Sequence, residues 1–529
     1  MIQFISRNII RVPDTLGLFK IPFAAILLLL LLGGVSLLYP FGRDQGEYAM
    51  IAMEVRKGKV DYRDIFDIKP PLTHMAHGLA LSIFGQSMLA IRLFDLIWQC
   101  ITVVLLVILA ESIFKKRLLG LVAAFLYITG YYSLGYWNTA QTDGFLTLLI
   151  LLSLLAYIHY KKHGKMWLIV SSGLAIGTAM LFKYPIGILL LFLLMMIFFD
   201  YRSDGFQAAI SLVIGFVLPI AIFLLVLAIQ GALSDFVFPQ ITYIPAYNVR
   251  IGSQINVFIG ILRYLLATPI MLLLFASMIA FVVLSKRRRL EYSALVSLWW
   301  LAALVHLAIQ NKFYFYHGLP LLAPGAVMAS YVICMIYEKT YTKVPRFIFL
   351  SVATFTILSA SVLPWFLVNQ KILIDLVTEN FKLQNVYTQF GDYESGDYSV
   401  QADFEVAAYL KSHTGQSDKL FIWGFEPTIY FLAELSSASR FLYNFPLYGA
   451  FGWLEFRDQL VADLEQNEPK YIVIVQNDAI PWVTGTNNDS LAAFLDFQEL
   501  RNLVSEHYMF ETQIEDFYLY RLNDSSSGG

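Results

Sequence analysis

Cysteine is nearly missing: Cys100 and Cys334 are the only two in 529 residues, and each lies inside a long apolar run. No disulfide framework and no zinc-finger spacing can be built from them. Charge is scarce as well, at 14% of residues, where a soluble domain carries about 25%. Glycine spacings of the G-x-G-x-x-G or P-loop kind do not occur in the polar C-terminal part, which argues against a nucleotide site there. No repeat relates the two halves, as it commonly does in secondary transporters. The first apolar stretch is too long for a signal peptide and no small-residue cleavage site follows it, so it reads as a span. What the chain does have is apolar surface. Hydrophobic residues make up 58%, with 42 Phe and 31 Tyr, and the mean hydropathy is +0.63. Disordered, collagen-like and ordinary cytosolic classes fall away together. The charge divides at about residue 391: residues 1–391 carry a net +13 and residues 392–529 a net −15. A basic multi-spanning part, 1–391, is therefore joined to an acidic domain, 392–529, and nucleic acid is excluded as a partner.

A hydrocarbon layer of about 30 Å takes roughly 20 apolar residues per helix. Eleven spans are expected, near 21–41, 88–113, 118–136, 144–160, 166–182, 185–199, 206–230, 256–284, 292–310, 318–337 and 347–368. Basic clusters in the short connections (Lys115-Lys116-Arg117, Lys161-Lys162-Lys165, Arg202, Lys286 to Arg289, Lys339-Lys343-Arg346) all fall on one side, which makes that side and the N-terminus cytoplasmic. An odd number of spans then puts residues 392–529 outside. The long first outer loop, 42–86, is polar yet patterned. Tyr48, Ile51, Ala52 and Val55 form one helical stripe, ending at Gly58. Leu72, Met75, Ala76, Leu79 and Ile83 form a second, between Pro70-Pro71 and Gly85. Two such helices flanking the charged turn Asp61 to Lys69 are expected to lie in the interface plane. Residues 392–529 alternate strand-like runs (Lys419–Trp423, Arg440–Tyr443, Tyr471–Val475, Phe517–Leu522) with helical patterns, an α/β arrangement whose role is an acceptor dock or a lid.

Carboxylates just outside a span carry the chemistry. Asp44 follows the first span, Glu47 sits one turn later on the same side, and Asp143 opens the fourth span in Gln141-Thr142-Asp143-Gly144. As helix caps, Asp44 and Asp143 would each contribute a fraction of a kcal/mol; two at one depth beside a patterned loop point further. Lys69, Lys183, Arg250 and Lys312 lie outside, against the positive-inside trend, and Arg92 lies at the outer end of the second span. Single lysines at such places snorkel to the headgroups, but a cluster suits a phosphate. Carboxylate and phosphate cradle together suit one reaction. A sugar on a lipid phosphate departs as a stable anion, so no acid is needed, and one carboxylate acting as base on the acceptor hydroxyl suffices. Such in-line displacement inverts the anomeric centre. Tyr316 and His317, in the aromatic third outer segment, are candidate acceptor or sugar contacts.

The run Asp44-Gln45-Gly46-Glu47-Tyr48-Ala49, Tyr62-Arg63-Asp64, Asp67-Ile68-Lys69-Pro70-Pro71-Leu72, Phe84-Gly85 and Ile91-Arg92-Leu93 resembles the opening of GT-C glycosyltransferases. Within that class it is similar to the bacterial branch related to protein O-mannosyltransferases and the lipid A aminoarabinose transferase. Thr142-Asp143-Gly144, Phe182-Lys183-Tyr184-Pro185 and Tyr316-His317-Gly318-Leu319-Pro320 are similar to later landmarks. The resemblance spans roughly residues 20–330. It implies a polytopic α-helical membrane fold of GT-C type with juxtamembrane helices, joined here to a soluble C-terminal α/β domain. It also implies a polyprenyl-phosphate sugar donor, an extracytoplasmic acceptor and residence in the bacterial inner membrane. By motif position Asp44 would be the catalytic base and Asp143 the second acidic residue, with Lys69 and Lys183 on the donor phosphate. The sugar, and whether the acceptor is a glycan, a lipid or a protein, stay open. Aminoarabinose transferases have an acidic residue just before the lysine of Lys-Pro-Pro; here Ile68 stands there. A divalent metal thus stays open, with His74 and His77 at i, i+3 as candidate ligands. A lipid-linked sugar flippase and a membrane-anchored binding scaffold are the competing classes. The missing repeat and the scarcity of mid-span charge count against the flippase, and the scaffold leaves the pairing of carboxylates with lysines unexplained.

Overall fold

A computed structural model describes residues 14–200, 205–246, 256–288, 290–340, 346–378, 386–393, 396–448 and 454–523. Among them eight helices are long and apolar enough to cross a membrane, and four shorter apolar ones (Arg117–Tyr132, Met166–Met180, Tyr184–Asp200, Val257–Ala267) accompany them. Every expected span falls on helix, with one correction. The stretch 256–284 is two helices, Val257–Ala267 and Pro269–Arg288. The proline ring removes a backbone donor and drives Thr268 out of the helical region. Hydropathy has no means of registering that break.

The described residues group into two compact units: one from within 1–37, 92–221 and 257–370, the other from within 38–91, 222–256 and 371–529. In the first unit, helices Met166–Met180 and Gly205–Ile229 meet backbone to backbone. A Cβ added at Gly173 or Gly177 would come within 2.0 or 2.1 Å of the Leu212 or Phe216 carbonyl oxygen. Small residues at such crossings let dispersion contacts replace a hydrophobic drive that lipid cannot supply. Two of the eight long helices are the most enclosed. The segments Thr142–His163 and Phe315–Glu338 are each 83% buried, whereas Gly205–Ile229 is 17% buried. Asp143, Tyr316 and His317 stand at the heads of those two enclosed helices.

The second unit holds the sheet, in the order β2-β1-β3-β5-β4. Its strands are β1 (Lys419–Trp423), β2 (Ser436–Ser437), β3 (Tyr471–Val475), β4 (Tyr508–Ile514) and β5 (Phe517–Leu522). β1 runs parallel to β2 and β3, and β5 runs antiparallel to β3 and β4. The expected strand Arg440–Tyr443 does not form. That segment is spent on the first loop instead: the Arg440 carbonyl accepts from Phe66 N at 2.8 Å, and its guanidinium donates to the Tyr62 carbonyl at 2.6 Å. Strand β4 was not anticipated, because as an edge strand it leaves Met509 and Phe510 exposed and carries no clean alternation.

The first loop supplies both expected helices, Arg43–Arg56 and Pro71–Phe84. The first departs from the expectation that it lies in an interface. Its residues 43 and 45–54 are all buried, polar Arg43, Gln45, Glu47 and Glu54 included, because protein covers both its faces. The second keeps Met75, Leu79 and Ile83 exposed while Thr73, His74 and His77 turn inward. An outward apolar stripe with an inward polar one is the reverse of a soluble helix, and it suits an apolar surrounding.

Candidate functional site

Two clusters emerge, one in each unit. In the second unit the first-loop helix begins at Arg43, with the Gln45 side chain accepting from Gly42 N at 3.0 Å. Asp44 therefore stands in the first turn, where the helix dipole favours a negative charge. The turn between the two helices delivers Lys69. Tyr62, at φ 66°, donates its hydroxyl to the Lys69 carbonyl at 2.9 Å, and Pro70-Pro71 then starts the next helix. Lys69 Nζ lies 3.0 Å from Asp44 Oδ1, 3.2 Å from the Tyr48 hydroxyl and 3.6 Å from Glu47 Oε2. Asp44 is 14% exposed and Lys69 19%, whereas Glu47 is 1% exposed. Asp44 is thus the carboxylate of the group that a substrate can reach.

Behind this pair lies a charged triad. His74 is held between two carboxylates, with Nδ1 2.8 Å from Asp61 and Nε2 2.8 Å from Asp67. The Tyr443 hydroxyl reaches Asp67 at 3.3 Å from the sheet domain. Burial alone would strip the His74 proton, but Asp61 and then Asp67 retain it and raise its pKa to about 10. Burial alone would raise Asp67 too, yet the charged His74 and Lys69 bring it down to about 2. Glu47 moves the other way. Its burial, with Asp67 and Asp44 nearby, lifts its pKa well above the carboxylate range despite Lys69, and one of its oxygens is buried with no hydrogen-bond partner. A carboxyl kept protonated is a poor base and a good donor.

In the first unit Asp143 sits in the turn Thr142–Phe145 that opens its helix, and its side chain is fully buried. His306 Nε2 lies 2.6 Å from one carboxylate oxygen, with Gln310 3.4 Å away. Thr142 donates to the other oxygen at 3.0 Å, and Lys183 Nζ lies 3.4 Å from it. Lys183 is placed by a break between helices, in extended backbone just before the turn Tyr184–Gly187. Its ammonium stands 5.7 Å from the centre of the Tyr316 ring, which packs edge-on against His317 at 4.6 Å. A Cβ at Gly144 would meet the Tyr131 hydroxyl at 2.8 Å, so no larger residue fits after Asp143 without displacing that ring.

Asp44, Glu47 and Lys69 are thus gathered in one cluster, and Asp143, Lys183, Tyr316 and His317 in another. Arg92 belongs to neither. It is fully buried, and its guanidinium donates to the Thr139 carbonyl and hydroxyl and to the Tyr136 carbonyl at 3.0–3.1 Å, tying down the turn ahead of Asp143. Lys312 stands in the connection between Ser293–Gln310 and Phe315–Gly318, half-buried. Arg250 lies outside the described residues. As for a metal, both His74 nitrogens face carboxylates and His77 Nδ1 bonds the Thr73 carbonyl at 2.9 Å. Among the described residues no group of three or more His, Cys, Asp or Glu is arranged to hold an ion. Sequence reasoning gave His306 and Gln310 no role, although their i, i+4 spacing puts both on the face that meets Asp143. It also passed over Arg43.

Residues 68–229, less than half of the chain, match the family model described as dolichyl-phosphate-mannose-protein mannosyltransferase. Among solved structures, ArnT from Cupriavidus metallidurans bound to undecaprenyl phosphate is 14% identical, with a TM-score of 0.59 over 96% of this chain and 99% of that one. The Archaeoglobus fulgidus oligosaccharyltransferase in complex with Zn and sulfate is 15% identical, with a TM-score of 0.52 over 94% of this chain and 73% of that one. No curated protein sequence matches.

Proposed function

We propose that this chain, a multi-pass membrane protein with the GT-C fold of the PMT and ArnT type, is an inverting glycosyltransferase. It moves a sugar from a polyprenyl-phosphate carrier to an acceptor on the extracytoplasmic side of the bacterial inner membrane. The observation that carries this reading is the contact of the partly exposed Asp44 carboxylate with the partly exposed Lys69 ammonium at 3.0 Å, at the mouth of a buried charged network. The two groups match the two charges that the reaction moves. Asp44 takes the proton of the acceptor hydroxyl, and the acceptor oxygen attacks the anomeric carbon. The bond from that carbon to the phosphate oxygen breaks, its electron pair stays on the phosphate, and Lys69 balances the new charge. Neutral Glu47 and Tyr48 beside Lys69 add hydrogen-bond donors without adding negative charge, which keeps the position favourable to a phosphate. By motif position Asp143 stays assigned as the second acidic residue and Lys183 as a further phosphate contact.

That the ArnT structure holds undecaprenyl phosphate supports a lipid of this class as the carrier here. Mass spectrometry of lipid co-purified with the full-length protein tests the reading. A polyprenyl phosphate, free or glycosylated, is expected to be enriched over bulk phospholipid, and native lipid extract is expected to yield free undecaprenyl phosphate on incubation with the protein. Enrichment with no release by wild-type protein in the presence of membrane acceptors would point instead to a carrier of the lipid.

A further inference from the structure

The sheet domain sends a clamp to the helix that carries Asp44. Arg43, next to Asp44, has a side chain only 4% exposed and no partner on its own helix to neutralise it. Its Nε donates to the Phe425 carbonyl at 2.9 Å, its Nη2 to Glu426 at 2.7 Å and its Nη1 to Asp397 at 2.7 Å; Nη2 also meets the Asp397 carbonyl. The guanidinium stands 5.1 Å from the Tyr398 ring centre and 5.9 Å from that of Phe425. One turn on, Gly46 presses on the helix Pro427–Ala433: a Cβ there would lie 2.1 Å from Thr428 Oγ1 and 2.9 Å from Thr428 N. Further along the same face, Ser436 donates to Glu54 at 2.9 Å and accepts from Lys57 at 3.0 Å. One face of the first-loop helix is thus fastened near both its ends to the stretch from the end of β1 through β2, at positions spaced by three or four residues or a multiple.

A buried guanidinium is tolerated only where carboxylates meet it in good geometry. Here the carboxylates come from a part of the chain more than 350 residues away in sequence. Since neighbouring side chains on a helix leave the axis about 100° apart, fixing Arg43 in this cleft fixes the direction in which Asp44 points, toward Lys69. We propose that Arg43 is a positioning residue for the Asp44 carboxylate, with Phe425, Glu426 and Asp397 as its anchor, so that residues 392–529 serve the reaction as a fixed mount for the base. This rests on the reading of Asp44 as the base.

The test uses the full-length protein, release of undecaprenyl phosphate from native lipid-linked sugar, and binding of undecaprenyl phosphate alone. The Arg43→Gln/Glu426→Gln pair removes the buried charges together and keeps hydrogen-bonding groups, so it is the variant expected to fold. Its kcat is expected to fall by about 10²-fold, the scale of a misplaced reacting group, with undecaprenyl phosphate affinity within about twofold of wild type and an unshifted pH profile. Arg43→Lys is expected to recover part of that loss. Asp397→Asn, at the partly exposed rim, is expected to lower kcat by about threefold, the small effect of a rim charge pair. A double variant or an Asp397→Asn variant with wild-type kcat overturns the proposal, and so does a loss confined to KM. Asp44→Asn is measured alongside. If it is active, the base itself is wrongly assigned; if it is inactive while the clamp variants work normally, only the positioning role fails.

Discussion

The two carboxylate clusters hold similar charges in opposite settings. Asp44, 14% exposed, lies 3.0 Å from Lys69, while Asp143 is fully buried and meets a histidine, a lysine, a threonine and a glutamine. A carboxylate that must take up and return a proton needs an approach path. One whose two oxygens are both engaged inside the protein orders its partners. The contrast supports the proposal that Asp44 transfers the proton, with Asp143 as a second acidic residue that orders its partners.

The largest effect expected from this contrast is on turnover in Asp44→Asn. Loss of a general base should cost about 10²–10⁴ in rate, with unchanged thermal unfolding and unchanged binding of undecaprenyl phosphate. Asp143→Asn should act in the opposite proportion. Breaking a buried pair by removing one partner costs about 3–5 kcal/mol, so its unfolding temperature in detergent should fall clearly, with activity falling as folded protein is lost. An Asp143→Asn protein that melts like wild type yet is inactive would erase the distinction and make both carboxylates chemical.

The lysines sharpen the same contrast at smaller amplitude. Lys69→Ala should weaken undecaprenyl phosphate binding by about tenfold or somewhat more, the worth of a charge-assisted hydrogen bond. The residual binding should depend less on salt than in the wild type. Equal affinities and equal salt dependence would mean that Lys69 merely snorkels to the headgroups.

Much of this was legible in the residues. Span positions followed from apolar runs, and the first-loop helices from their stripes and from Pro70-Pro71 and Gly85, since proline and glycine act locally. What escaped depends on partners remote in sequence. The stripe Tyr48, Ile51, Ala52 and Val55 looks like a helix half in an interface; only the approach of Pro427–Ala433 and Arg43's bonds to Glu426 and Asp397 show why its polar face is buried as well. Arg440–Tyr443 has strand composition but finds its hydrogen bonds in the first loop. His74 looked like half a metal site, and nothing in the sequence pairs it with Asp67. Folded together with Asp61 they make an ion triad. Pairings of that kind, set by tertiary closure, leave no periodicity behind.

That triad yields the subtlest test. The His74 pKa is raised to about 10, so its contribution to stability is complete below the ordinary value near 6.5 and is lost as pH climbs toward 10. The Asp67 pKa is depressed to about 2, so its contribution is complete above about 4 and is lost only as pH falls toward 2. The bridge is at full strength between about pH 4 and 6.5 and weakens on the alkaline side, where the folded protein holds a proton that the unfolded chain has released. Wild-type stability should decline between pH 6.5 and 10 with a slope that includes up to about 1.4 kcal/mol per pH unit from this one proton. His74→Gln should be less stable at pH 6 and should lack that part of the slope, so the two curves converge as pH rises. Parallel curves would mean that His74 is neutral in the folded protein. The network behind Asp44 would then be a hydrogen-bonded one, and the contrast between the clusters would rest on exposure alone.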